Sequence, residues 1–330
     1  MKRYTRREVS FAAAALAGLG FVGQLTGVAA QSATPATGAT PSGDGSEITV
    51  KHAQGETVVS ANPATVISFD LASVDTLDAL GVAISGLPKG SLAGHLDKFN
   101  ADDYLNAGTL FEPDYEAVFG AKPDLIIVAG RSAAAYPELA KIAPTLDLTP
   151  SGTDFIADLK TNATILGEIF GKQAEVADAL AALDQRVATL KADAEGVGSG
   201  LVIMTTGGEV TAVAPGGTGR GSRGALIYTT LGIAPPIDDI AEATHGEAVS
   251  FEFLLEANPD WLFVIDRDAA TGSEEGKAAA EILDNELVAQ TTAATAGQIV
   301  YLDPYTWYIV GNGLTTAGLM IEQLETAFAG

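Results

Sequence analysis

Two stretches of this chain run through the same order of polar and apolar positions: Glu116-AVFGAKPDLIIVAG-Arg131 and Glu252-FLLEANPDWLFVID-Arg267. In each, a helix-like segment opened by Glu leads to Lys/Asn-Pro-Asp. An apolar run follows, Leu125 to Val128 or Trp261 to Ile265, with the length and composition of a strand buried in a parallel sheet. An arginine comes next. Ligands of open α/β sheets lie beyond the carboxyl ends of the strands, so each copy offers a guanidinium to a ligand held between two related lobes.

The flanking patterns extend this reading. Ile48–His52 and Glu56–Val59 predict a hairpin, and Val66–Phe69 a strand. Ser73 to Val82 predicts a helix with an N-cap at Ser73 and a stop at Gly81. In the second half Leu201–Met204 predicts a strand, a glycine-rich loop follows, and Ala225 to Ile233 predicts a helix. Strand, helix, strand alternation in both halves predicts two α/β lobes with central parallel sheets. Between them Val176, Leu180, Leu183, Val187 and Leu190 form an apolar stripe on one helix face. A helix over 173–195 spans roughly 34 Å at about 1.5 Å per residue, a strut joining the lobes. The organisation expected is an N-terminal lobe at 48–172, the connecting helix at 173–195 and a C-terminal lobe at 196–330. With this helix as the sole connection, opening of the cleft is expected to be a modest rocking.

The start of the chain changes the picture. Lys2, Arg3, Arg6 and Arg7 precede an apolar stretch from Phe11 to Val22, and Val28-Ala29-Ala30 offers a cleavage site. Residues 1–30 are therefore expected to be a cleaved, twin-arginine-like export signal. Residues 31–47 hold no large apolar side chain and read as a disordered linker. The chain has no cysteine, which removes disulfides, thiolate metal sites and lipid attachment at a processed cysteine. After cleavage the protein is expected free in solution, a monomer without membrane insertion. Residues 1–30 carry four basic side chains and one acid, so the remainder is three charges more negative than the −24 of the whole chain. Such a surface repels nucleic acid and leaves local arginine clusters as the only attraction for an anion.

The chemistry-bearing residues are few. No Gly-x-Ser-x-Gly, phosphate loop or His-Glu-x-x-His occurs. Of the three histidines, His52 and His95 read as surface residues, whereas His245 lies in a Thr-His-Gly turn leading into the second repeat. The stretch Pro215 to Gly224 lacks the Lys-Ser/Thr of a phosphate cradle and reads as a loop placing Arg223, with Arg220 ranked below it, at the cleft. An aromatic segment, Tyr301 to Gly313, reads as a loop before a final helix at 314–329. Ferric iron prefers phenolate and other oxygen donors, accepts imidazole and takes six ligands. A siderophore supplying four catecholate oxygens leaves two positions for a tyrosine and a histidine, and guanidinium groups bond to the anionic oxygens.

At these residues the chain resembles the class III solute-binding proteins of bacterial ABC importers, in their ferric catecholate siderophore branch. The resemblance runs from Ile48 to the C-terminus and is carried by FDLASVDTLDALGV, KPDLIIVAGR, SRGALIYTTLGI, HGEAVSFEFLLEANPDWLFVIDR and LDPYTWYIVGNGL. It implies two Rossmann-like lobes joined by one long helix, and a periplasmic, non-enzymatic receptor with no permanent cofactor. By position it implies Arg131, Arg223 and Arg267 as the anion-binding triad. His245 and Tyr308, the tyrosine after Trp307, become direct ligands to siderophore-bound Fe(III). Glu116 and Glu252 correspond to residues that dock on the inner-membrane ABC permease. The alternatives are the same fold around haem, cobalamin or a hexadentate siderophore, and a metal-dependent hydrolase using His245 and Tyr308. A catalytic metal normally has several protein ligands, and one histidine among loops is too few.

Overall fold

The computed structural model describes residues 46–215, 223–238, 240, 246–273 and 276–329. Residues 1–45, which hold the expected export signal and nearly all of the expected linker, lie outside the described residues, as do Arg220 and His245.

The first lobe opens with a hairpin, β1 (Glu47–His52) and β2 (Gly55–Ser60). There follow β3 (Val66–Ser68), α1 (Leu71–Ala79), β4 (Gly86–Leu87), β5 (Leu105–Asn106), α2 (Tyr115–Ala121), β6 (Leu125–Val128), α3 (Tyr136–Leu139), β7 (Thr145–Asp147) and α4 (Phe155–Ile169). Five strands make a parallel sheet in the order β5-β4-β3-β6-β7. A helix, α5 (Gln173–Asp193), then leads to β8 (Gly200–Thr206), β9 (Glu209–Ala212), β10 (Glu247–Val249), α6 (Phe251–Ala257) and β11 (Trp261–Asp266). The chain ends with α7 (Arg267–Thr271), α8 (Ala279–Ile282), α9 (Thr292–Thr295), β12 (Ile299–Leu302) and α10 (Leu314–Phe328). The second sheet runs β10-β9-β8-β11-β12. Strands β8, β11 and β12 are parallel, while β9 and β10 continue the sheet antiparallel.

The repeated apolar runs are interior strands buried on both faces, and their period of two sends alternate side chains to opposite cores. In β6, Leu125 and Ile127 face one core and Ile126 and Val128 the other, all four fully buried. In β11, Trp261, Phe263 and Ile265 share the first core with the N-lobe residues, while Leu262 and Val264 face a separate C-lobe core. One hydrophobic core thus continues from lobe to lobe beneath α5, whose Val176, Leu183 and Leu190 are buried in it.

The Pro-Asp of the repeat is a clamp. Asp124 accepts from the backbone N–H of Thr65 at 2.8 Å and of Ala64 at 3.1 Å, just ahead of β3. Asp260 accepts from Ser199 N at 2.7 Å and Ser199 Oγ at 2.9 Å, just ahead of β8. Each aspartate therefore ties the start of its own strand to the start of the central neighbour with which that strand pairs. Gly198 makes the second clamp possible: its φ is +96°, and a β-carbon there would strike the Asp260 carboxylate.

The last helix ties the chain together a second time. α10 packs against both α1 and α5, and its N-terminus sits on Asp75 of α1. That fully buried carboxylate accepts from Thr315 N at 2.8 Å and Thr316 Oγ1 at 3.0 Å and pairs with His95. Gly313 is required beside it, since a β-carbon would overlap the Asp75 side chain.

Several local expectations are corrected. The N-cap of α1 is Asp70, whose carboxylate accepts from Ser73 N at 2.9 Å and Ser73 Oγ at 2.6 Å; Ser73 lies inside the first turn. The segment expected as a helix from Ala225 is a π-helical turn at Leu226–Thr230, and the aromatic segment holds β12 and another π-helical turn at Tyr305–Val310. His52 is half-exposed but engaged: Nε2 bonds Thr57 Oγ1 at 2.8 Å, and its ring packs on Tyr136. Burial lowers its pKa, with Asp147 pulling the other way. His95 is likewise engaged, with Asp75.

Candidate functional site

Arg131 follows β6 through Gly130, whose φ of +45° turns the chain over the sheet edge. Arg267 opens α7 directly after β11. These are the equivalent positions of the two repeats. Both guanidinium groups converge on Tyr308, which the π-helical turn Tyr305–Val310 carries into the cleft. Such turns insert one residue into a helical winding and re-aim side chains, and they recur at functional sites.

The geometry around Tyr308 is closely constrained. Arg267 Nε donates to the Tyr308 hydroxyl at 2.9 Å, and its Nη1 donates to Thr206 Oγ1 at 2.8 Å at the end of β8. Arg131 donates from Nη1 to the carbonyl of Ile309 at 2.9 Å and from Nη2 to the carbonyl of Tyr308. Arg223, at the edge of the glycine-rich stretch, stands over the Tyr308 ring at 4.3 Å from its centre, with Arg131 at 5.4 Å and Arg267 at 5.9 Å. Three cations around one ring is an arrangement each cation–π contact favours and mutual repulsion opposes, so an anion added here relieves the repulsion.

The two neighbouring aromatics do other work. Trp307 is buried and donates to Gln323 Oε1 of α10 at 3.0 Å, fixing the turn to the last helix. Tyr305 faces His95, ring centres 6.4 Å apart, on the far side of the turn. Among the described residues Tyr308 is thus the phenol that the arginines surround.

The cavity beside the arginines holds about 120 Å³ and is lined by Asp70, Arg131, Thr149, Asn162, Arg223 and Tyr308 among others. Asp70, Thr149 and Asn162 escaped the sequence reading. Burial pushes the Asp70 carboxyl above the usual range, while its bonds to Ser73 and Ala72 and the nearby Arg131 pull it down. The signal for Asp70 was its place after β3 and three residues before Ser73, an N-cap pattern whose ordinary meaning is structural.

Glu116 and Glu252 occupy matching places. Each sits in the first turn of a seven-residue helix, α2 or α6, exposed to solvent. Asp114 caps one helix through Ala117 N and Ser250 the other through Phe253 N. Both helices end at a left-handed residue, Lys122 with φ 50° and Asn258 with φ 41°. The Glu252 carboxyl is held below the usual range by its own backbone N–H and the Ser250 side chain. Among the described residues no group of three His, Asp or Glu is disposed to hold a metal, and no helix is long and apolar enough to cross a membrane.

The chain matches the periplasmic binding protein family over residues 66–306. It is 40% identical over 284 residues to the petrobactin-binding protein of Bacillus subtilis, covering 84% of this chain and 87% of the relative. The crystal structure of that protein superposes with a TM-score of 0.82 at 39% identity, covering 86% and 99% of the two chains. The ferric-anguibactin-binding protein of Vibrio anguillarum is 34% identical over 285 residues, 84% of this chain and 86% of its own. The periplasmic catecholate-siderophore binding protein of Vibrio cholerae superposes with a TM-score of 0.79 at 28% identity, covering 85% and 100%.

Proposed function

This chain belongs to the periplasmic binding protein family, and we propose that it is the receptor that captures an anionic ferric catecholate siderophore and delivers it to an inner-membrane ABC permease. The observation that carries this reading is the convergence of Arg131 and Arg267, one from each repeat, and of Arg223 on the phenol of Tyr308. Guanidinium groups keep their charge at any relevant pH and bond catecholate oxygens. The relatives that bind petrobactin, anguibactin and a catecholate siderophore support the ligand class. Once residues 1–30 are removed, the receptor works free in the periplasm as a monomer, without a lipid anchor.

A tetradentate ligand is favoured because Tyr308 can complete the iron sphere, with His245 as the second protein ligand. A phenol that ligates ferric iron releases its proton, and Arg267 Nε at 2.9 Å is placed to stabilise the phenolate formed. Small-molecule sites usually enclose about 300–1,000 Å³. A cavity near 120 Å³ must therefore widen to admit a ferric complex. Arg131 bonds the Tyr308 turn through the carbonyls of Tyr308 and Ile309.

The test is a titration with the ferric complexes of a tetradentate bis-catecholate and a hexadentate tris-catecholate, followed by tryptophan quenching and the visible charge-transfer band. Tight tetradentate binding is expected, with a band shift that disappears in Tyr308→Phe and in His245→Ala. Wild-type spectra in both variants would overturn the iron-ligand roles. Quenching by neither complex would overturn the ligand class.

A further inference from the structure

The repeat has one more matched position, the residue directly after each arginine. Ser132 and Asp268 are both buried. Ser132 Oγ bonds the carbonyl of Phe69, just past β3, at 3.2 Å. Asp268 accepts from the backbone N–H of Gly207, just past β8, at 2.6 Å. Since β3 pairs with β6 and β8 with β11, each copy hooks the residue after its arginine to the carboxyl end of the neighbouring strand. The hooks differ in their remaining bonds. Those of Ser132 stay within its own loop, at Ala129, whereas the second oxygen of Asp268 accepts from the hydroxyl of Thr206 at 3.3 Å.

Thr206 links this second hook to the ligand site. It is the last residue of β8 and pairs with Glu209 of β9, so the sheet sets its backbone. A guanidinium only donates, so Thr206 Oγ1 accepts from Arg267 Nη1, and its single proton is directed to Asp268. The bonds therefore form one chain, from Asp268 through Thr206 and Arg267 to the Tyr308 oxygen. Two of the three guanidinium nitrogens are engaged in it. The third, Nη2, has no hydrogen-bond partner among the described residues. Because the guanidinium is a rigid plane, fixing Nε and Nη1 also fixes where Nη2 points.

We propose that Thr206 and Asp268 are positioning residues for ligand capture: they fix the rotation of Arg267 so that Nε stays on the Tyr308 oxygen and Nη2 is presented to an anionic oxygen of the ferric ligand. The inference rests on the reading of Tyr308 as an iron ligand. On such an iron the phenolate and a catecholate oxygen are neighbours, and one guanidinium bonds two adjacent oxygens at once. A guanidinium free to turn loses that freedom when it captures the pair. One held from behind by a strand end has lost it already, and preorganisation of this kind tightens binding without a new contact to the ligand.

The experiment titrates the mature chain with the ferric complex of a tetradentate bis-catecholate, reading affinity from tryptophan quenching and recording the charge-transfer band of the saturated complex. Thr206→Val keeps a branched strand side chain and removes the hydroxyl. It is expected to weaken binding about tenfold or more, the scale of one hydrogen bond to a charged group. The band is expected to move to longer wavelength, because a phenolate that loses a hydrogen bond gives up electron density more readily. Thr206→Ser restores the hydroxyl and is expected to return both readings to wild type, which a loss of packing would not do. Asp268→Ala is expected to show the Thr206→Val changes; wild-type readings from it would strike Asp268 from the chain. If Thr206→Val reads like wild type, or Thr206→Ser is as weak as Thr206→Val, the positioning role is refuted. If Tyr308→Phe leaves the band unchanged, the iron-ligand reading itself has failed, whatever the Thr206 variants do.

Discussion

Asp70 is the residue in the cleft whose charge works against an anionic ligand. Because burial raises its carboxyl, the folded form takes up a proton more readily than the unfolded chain does. The ionised form is the costly one. Its cost is absent below the ordinary carboxylate range near pH 4 and is complete once pH has passed the raised folded value, so stability declines as pH rises through that window. Asp70→Asn keeps a side-chain oxygen for the N-cap of α1 and removes the charge. We expect it to flatten this pH dependence in thermal melts and to tighten binding of the ferric catecholate at pH 7 by about tenfold, the scale of one carboxylate near an anion. Unchanged or weaker affinity at pH 7 would mean that Asp70 does not face the ligand. Sequence inspection passed over this residue because an aspartate three positions before a serine at a helix start has a sufficient structural meaning. The arginines were easier to find, since a repeat points to them twice.

At the scale of elements, the Pro-Asp clamps explain why the repeat is so regular. A carboxylate that starts one strand and holds the start of its neighbour sets the register between them, and register in a buried parallel pair decides which side chains enter which core. Asp260→Ala leaves the Ser199 N–H without its acceptor, at a cost of about 1–3 kcal/mol. The expected result is a lower urea midpoint with the m-value unchanged; a variant as stable as wild type would show that pairing alone sets the register. The strands, α5 and the last helix were legible from apolar period and length. The π-helical turns were not, because an i→i+5 winding has no side-chain period of its own and Tyr301 to Gly313 is rich in breakers. Nor could His95 have been placed. Its partner Asp75 lies within the first helical pattern and is buried only because Thr315 and Thr316, some 240 positions later, supply its hydrogen bonds.

At the scale of the whole molecule, α5 is not the only tie between the lobes. The shared core and the seating of α10 on α1 and α5 oppose a wide hinge. We expect small-angle scattering with and without the ferric ligand to show little change in radius of gyration. A large compaction on binding would sink this view and restore domain closure as the gating step. Two lobes, one connecting helix and a cleft with arginines from both repeats could be read in advance. The return of the C-terminus to the first lobe could not, since it is a long-range contact without a local pattern.

That return also sets an order in time. Asp75 belongs to α1, but three of its four hydrogen-bond donors, Thr315 N, Thr316 N and Thr316 Oγ1, come from α10, some 240 positions later. A nascent chain that has released its first lobe from the ribosome still holds a carboxylate without these donors, and that lobe closes only once α10 has emerged. The first lobe is thus completed by the helix farthest from it along the chain.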